Sequence, residues 1–195
     1  MEKTAKLAQL LKRESVRLGD FVLSSGQRSS HYIDARLTTM HPEGLRLIGQ
    51  LGHEAIEQHH WDVTAIGGLT LGADPVSYAI AYFSADRARP IRAFTVRKEP
   101  KAHGTGQQIE GPFRRGDRCV ITEDVITTGA SAIKAIEVVR SAGGIVAGVI
   151  GVVDREEGGT ARIRACDVPI VCLVSVSALL ASSERPPTQQ ADQSA

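Results

Sequence analysis

Aromatic side chains are scarce in this chain: phenylalanine, tryptophan and tyrosine make up 4% of 195 residues. That argues against a stacking platform for nucleic acid. Net charge is nearly absent too, +1 from 23 basic and 22 acidic side chains. No global field therefore draws the protein to DNA or a membrane, and any attraction for an anionic ligand must be local. Cysteine is limited to Cys119, Cys166 and Cys172, with no metal-ligand spacing between them. These read as small buried hydrophobes in a reducing cytosol. No apolar run reaches the length of a membrane span, and Met1 to Arg13 mixes charges with leucines instead of forming a signal core. The expectation is a cytoplasmic protein with neither nucleic acid nor membrane as partner.

What is present is a globular composition, 42% hydrophobic and 23% charged, in a length that suits one domain. Leu7, Leu10, Leu11 and Leu18 give Thr4 to Arg17 an amphipathic helical pattern that Gly19-Asp20 should stop. Phe21 to Leu23 and His31 to Asp34 read as short strands around Ser24-Ser25-Gly26. A helix is expected over Pro42 to Gln58, then a buried strand over Asp62 to Ile66, and a helix over Ala73 to Phe83. Further strands are expected over Ile91 to Val96, Arg118 to Thr122, Val146 to Val153 and Val168 to Val174, with a helix over Ser131 to Ala142. Arg97 to Pro112 has neither period. Alternating strands and helices imply an α/β fold, a mostly parallel sheet covered by helices on both faces. Such sheets bind ligands beyond the carboxyl ends of their strands, here after residues 66, 96, 122 and 153. Residues 1–181 form the expected domain; the Pro-, Ser- and Gln-rich stretch 182–195 reads as a disordered tail.

The richest segment runs from Cys119 to Ser131. A strand delivers Glu123 and Asp124, and Thr127, Thr128, Gly129 and Ser131 follow as a helix begins. Gly129 permits a tight turn and close approach to a ligand. Hydroxyls and free amides at a helix start make a phosphate seat. Adjacent carboxylates beside it can hold sugar hydroxyls, or magnesium directly or through water. A helix merely capped by Ser131 or Thr128 is the plainer alternative, but a cap needs one hydroxyl. The Walker A pattern is absent.

Residues 120–131, Val-Ile-Thr-Glu-Asp-Val-Ile-Thr-Thr-Gly-Ala-Ser, resemble the phosphoribosyl pyrophosphate (PRPP) signature of the type I phosphoribosyltransferases. The resemblance implies that family's fold, with a small N-terminal hood over about residues 1–40. It also implies that Glu123 and Asp124 hold the ribose hydroxyls and that Thr127, Thr128, Gly129, Ala130 and Ser131 hold the 5-phosphate. Val125 and Ile126 complete the PRPP-binding stretch.

Between Arg97 and His103, three fixed cations and a histidine fall within seven residues: Arg97, Lys98, Lys101 and His103. Pro100, Gly104 and Gly106 keep the segment from becoming a helix. Cations brought to a leaving pyrophosphate stabilise its developing charge, and a closing loop excludes water. A solvated surface loop is the plain alternative. The pattern Arg-Lys-x-x-Lys-x-His-Gly resembles the catalytic loop of the orotate phosphoribosyltransferases. That implies pyrophosphate contacts from all four residues, with Lys101, His103 and Asp124 as the catalytic set. It also implies a homodimer in which this loop reaches the neighbouring subunit.

The segment from Ser24 to Asp34 resembles the family's Ser-Gly-x-x-Ser-x-x-aromatic stretch, with Tyr32 placed to cover the base. A packed strand tyrosine is its alternative. Asp154-Arg155 matches the family's Asp-Arg, which implies that Arg155, with Thr127, binds orotate through its planar fork of donors. Ser24 and Leu71 stand where better-known members carry lysines, so Thr70 and backbone amides are expected to seat the pyrophosphate. The implied cofactor is magnesium, held mainly through PRPP and water near Glu123 and Asp124. Rival readings are a phosphoribosyltransferase for a purine or uracil, and a PRPP-binding regulator without catalysis.

Overall fold

The protein was analysed as a computed structural model, which describes residues 2–22, 28–100 and 107–181. Helix α1 (Glu2–Ser15) leads directly into a hairpin of β1 (Val16–Val22) and β2 (Arg28–Ile33). This hairpin is a two-stranded sheet of its own. Gly19-Asp20 does not end the helix as the pattern predicts. It lies within β1, where the register slips between Leu18 and Phe21, so the glycine marks a strand irregularity. The hairpin's root is tied to α1 by the Asp34 N–H, which donates to the Ser15 carbonyl at 3.0 Å.

After the short helix α2 (Arg36–Thr39) come α3 (Pro42–Gln58), β3 (Ala65–Leu69), α4 (Ala73–Ser84) and β4 (Arg92–Val96). The two-residue strand β5 (Ile109–Glu110) precedes β6 (Arg118–Ile126), α5 (Ala130–Ser141), β7 (Ile145–Asp154), α6 (Gly159–Arg164), β8 (Ile170–Ser175) and α7 (Val176–Ala181). The main sheet has the order β5-β4-β3-β6-β7-β8. All its pairings are parallel except β4–β5.

Alternation along the strands divides the core between the two faces. Ile66, Val120, Ile150 and Val152 pack with Leu7, Leu11, Leu47, Ile48 and Ile80 on the side of α1, α3 and α4. Ala65, Ile121 and Val149 pack with Ala135, Ile136 and Val139 of α5 on the other. The expected α/β layering is thus observed. Two boundaries shift in ways that matter for function: β3 runs on to Leu69, and β6 to Ile126, past both acids. The strand ends that face ligand therefore follow residues 69, 96, 126 and 154. Among the described residues no helix is long and apolar enough to cross a membrane.

Candidate active site

Four loops gather at the carboxyl end of the parallel strands. β6, in the middle of the sheet, carries Glu123 and Asp124 near its end. Its pairing with β7 continues through Val125↔Val153 and Ile126↔Asp154, which holds both acids on regular strand backbone. Successive residues point to opposite faces. Glu123 is accordingly buried, at 7% exposure, whereas Asp124 is half-buried. Oε2 of Glu123 is buried without a hydrogen-bond partner. Burial, and then the adjacent Asp124 carboxylate, push the Glu123 carboxyl up to about 9. Asp124 accepts the Val125 N–H through Oδ1 at 2.9 Å. The pair thus offers a carboxylate at the cleft and a carboxyl with an unused acceptor below it.

Thr127, Thr128 and Gly129 make the turn into α5. Gly129 has φ +76° and no side chain caps the helix. Helix α5 opens at Ala130, so Ser131 lies in its first turn and is not its cap. The nearest substitute is a long 3.4 Å hydrogen bond from the Ala130 N–H to Thr128 Oγ1. Glu123 and residues 125–132 line a concavity of about 80 Å³ at this uncapped N-terminus. Amides, hydroxyls and the positive end of the helix converge there, which suits a phosphate.

Arg155 stands beside this turn: its N–H donates to the Ile126 carbonyl at 2.9 Å. Its side chain is 9% exposed, and Nε donates to Glu157 at 2.7 Å. Tyr32 projects from the hairpin at 41% exposure, its ring tilted against Phe21 with centroids 5.7 Å apart. Tyr32 is thus a strand residue whose ring is only partly covered.

The loop after β3 adds parts that periodicity did not disclose. The Thr70 N–H donates to the Val96 carbonyl at 2.8 Å, which joins this loop to the root of the basic segment. The Thr70 hydroxyl donates to Asp74 Oδ2 at 2.7 Å. Its hydrogen is therefore committed, and seating an anion falls to the amides at the start of α4, which has no side-chain cap either. Leu71 is 55% exposed.

Arg97 and Lys98 follow β4. Arg97 pairs weakly with Glu110 at 3.5 Å, and the Lys98 carbonyl accepts from Lys134 on α5. Lys101, His103 and Ser24 lie outside the described residues. The sequence patterns do not point to Arg36. Its guanidinium grips Asp34 at 2.8 and 2.9 Å, and that hydrogen bond, with smaller help from Asp124 and Tyr32, holds it above its ordinary value. The motif Tyr-Ile-Asp-Ala-Arg was the available signal: a cation two residues after an acid, next to an expected base-covering tyrosine.

No protein-family model matches the chain. An orotate phosphoribosyltransferase of Aquifex aeolicus is 47% identical over 183 residues, covering 92% of this chain and 99% of that protein. One of Corynebacterium glutamicum is 46% identical over 179 residues, covering 92% and 95%. Among solved structures, a Mycobacterium tuberculosis orotate phosphoribosyltransferase in complex with PRPP superimposes with TM-score 0.77 at 39% identity. The match covers 91% of this chain and 98% of that one. The same enzyme with Fe(III) dicitrate gives 0.81 at 42% identity, with the same coverage.

Proposed function

Since the chain belongs to the orotate phosphoribosyltransferase family, we propose that it transfers ribose 5-phosphate from PRPP to orotate, giving orotidine 5'-phosphate and pyrophosphate for pyrimidine synthesis. The observation that carries this reading is the juxtaposition of the acid pair with the uncapped start of α5. Hydroxyl acceptors and a phosphate seat lie within one strand-to-helix turn.

Glu123 and Asp124 accept hydrogen bonds from the ribose hydroxyls, with the unpartnered Oε2 of Glu123 as one free acceptor. Residues 127–131 hold the 5-phosphate. The uncapped start of α4, beside Leu71 and Gly72, receives the pyrophosphate end. Tyr32 covers the orotate ring, and Thr127 and Arg155 bind it. A ring nitrogen of orotate attacks the anomeric carbon as the bond to the pyrophosphate oxygen breaks. The ring N–H of orotate, acidified by the neighbouring carbonyl, releases its proton to solvent water as the nitrogen attacks, so no strong protein base is required. Arg97, Lys98, Lys101 and His103 stabilise the leaving group, and His103 gives it a proton.

Magnesium is expected to come to this site with PRPP and water, near Glu123 and Asp124. Among the described residues no group of three or more His, Cys, Asp and Glu side chains forms a metal cage. Glu123 and Asp124 could touch a cation carried by PRPP and water. The ion's chemistry would be to neutralise charge on the pyrophosphate.

A homodimer with the basic loop shared between subunits completes the proposal. Its support is the unusual exposure of Leu37, Met40, Leu71, Tyr78 and Tyr82. A groove of about 760 Å³ between α3 and α4 is lined by Leu45, Tyr78 and Tyr82. The three free thiols suit the reducing cytoplasm, where we place the enzyme.

The test is incubation of purified protein with PRPP, magnesium and, in turn, orotate, uracil and hypoxanthine. Orotidine 5'-phosphate is the expected product; turnover of the other bases alone would overturn the substrate. Omission of magnesium in the presence of chelator is expected to abolish turnover.

A further inference from the structure

Asp74 is buried at 8% exposure in the first turn of α4, and no cation pairs with it among the described contacts. Both of its oxygens are nevertheless used. Oδ2 accepts from the Thr70 hydroxyl at 2.7 Å, and Oδ1 accepts from the Thr95 hydroxyl at 2.8 Å. Thr95 Oγ1 lies 2.7 Å from the Tyr78 hydroxyl; with the Thr95 hydrogen spent on Asp74, Tyr78 donates. The Asp74 carbonyl accepts from Ser77 Oγ at 2.9 Å. A buried acid satisfied wholly by hydroxyls fixes both of their rotors, because each hydroxyl has a single hydrogen to give.

The two hydroxyls belong to different parts of the cleft. Thr70 begins the loop that leads through Gly72 to the Asp124 carboxylate. Thr95 stands two residues before Arg97, the first cation of the basic segment. We propose that Asp74 is a positioning residue that locks the loop after β3 to the root of the basic segment, and so sets the geometry of the pyrophosphate end of the PRPP site. Asp74 touches no reacting atom. It orients the amides at the start of α4, and it holds the end of β4 at the register from which Arg97 and Lys98 depart. The inference rests on the reading of this cleft as a PRPP site, and it names the residue that shapes one end of it.

The test is Asp74→Asn, with Thr95→Val and Thr95→Ser alongside, measured by steady-state kinetics and by calorimetric titration of PRPP. An amide has one acceptor oxygen, so Asp74→Asn must turn one hydroxyl around. The expected result is about a tenfold rise in KM and Kd for PRPP, the scale of one charge-assisted hydrogen bond, with KM for orotate unchanged. Thr95→Val should repeat the effect and Thr95→Ser should restore wild-type values. The double variant Asp74→Asn/Thr95→Val should be less than multiplicative. A lower Tm with unaltered PRPP constants, or equal shifts for PRPP and orotate, would overturn the inference. If Asp74→Asn does not fold, the contrast between Thr95→Val and Thr95→Ser decides it. Wild-type PRPP binding without orotidine 5'-phosphate formation would instead defeat the functional reading and leave the calorimetric test of Asp74 standing.

Discussion

The backbone of Gly72 lies against the carboxylate of Asp124: a methyl group built on Gly72 would stand 2.5 Å from Oδ1 and 2.7 Å from Cγ. The loop after β3 and the acid at the end of β6 are thus in contact at a place where a side chain would separate them. Gly72 is required for space and not for backbone conformation, since its φ is −61°.

Gly72→Ala should accordingly fold but displace Asp124. A misplacement of this order costs on the order of a hundredfold in rate when it moves a group that positions substrate. The expected outcome is a fall of that size in kcat/KM for PRPP with Tm within a few degrees of wild type. Equal kinetics in the alanine variant would mean that Asp124 has a second, equally productive position.

Glu123 makes the ligand-free protein sensitive to alkali. Its carboxyl titrates near 4.5 when unfolded and is pushed up to about 9 when folded, so the folded state binds the proton more tightly. Its contribution is full below about pH 4.5, is lost progressively as pH rises toward about 9, and is constant beyond. Glu123→Gln removes this titration. In thermal melts without ligand or metal, the variant should lose less stability than wild type between neutral pH and about pH 9, while its PRPP turnover falls. Parallel melting profiles for the two proteins would show that Glu123 is ionised at neutral pH.

Asp117, at the opposite end of the sheet, is expected to matter for folding alone. Burial would raise its carboxyl, but the Arg114 N–H, Arg92 and the Thr64 hydroxyl outweigh burial and hold it below the usual range. The Arg114 N–H donates at 2.7 Å and Thr64 at 2.9 Å. Asp117→Ala strands these donors and should destabilise the protein by about 2–4 kcal/mol. Because the carboxyl is held low, its contribution is present at neutral pH and fades as acid protonates it. Chemical denaturation at neutral pH measures the loss, and kcat at low temperature should be unchanged.

How much of this was legible in the sequence depended on whether the signal was local. Pro42 to Gln58 folds as the helix its period predicts. Residues 123–131 declare themselves because acids, hydroxyls and glycine are contiguous. The apolar run ends at Thr122, so the local pattern predicts a strand that stops there. Pairing with β7 on one side carries the strand four residues further, a tertiary effect that no local pattern holds. Asp74 gives no local signal for the same reason. It meets Thr95 across 21 positions, whereas Arg36 is held chiefly by Asp34, two residues away, with Asp124 a smaller influence. The short elements α6, α7 and β5 have too few residues to express a period.

The sharing of the basic loop between subunits can be decided by mixing two inactive enzymes. Asp124→Asn impairs the sugar side of its own subunit's site. Lys101→Ala removes a cation from the loop, and is expected to lower kcat by on the order of a hundredfold with PRPP still bound. In a mixed dimer, the subunit that carries Lys101→Ala keeps its own Asp124. If the loop crosses to the neighbour, that site receives an intact loop from the Asp124→Asn partner and works. If each loop serves its own subunit, both sites of the mixed dimer carry a lesion and neither works. Random reassortment makes half of the dimers mixed, each with one intact site, so activity should return to about a quarter of wild type. Measured after subunit exchange, that recovery supports a shared site. An absence of recovery, with exchange verified by differential tagging, would place the loop on its own subunit and return the exposed Tyr78–Tyr82 face to the question of what covers it.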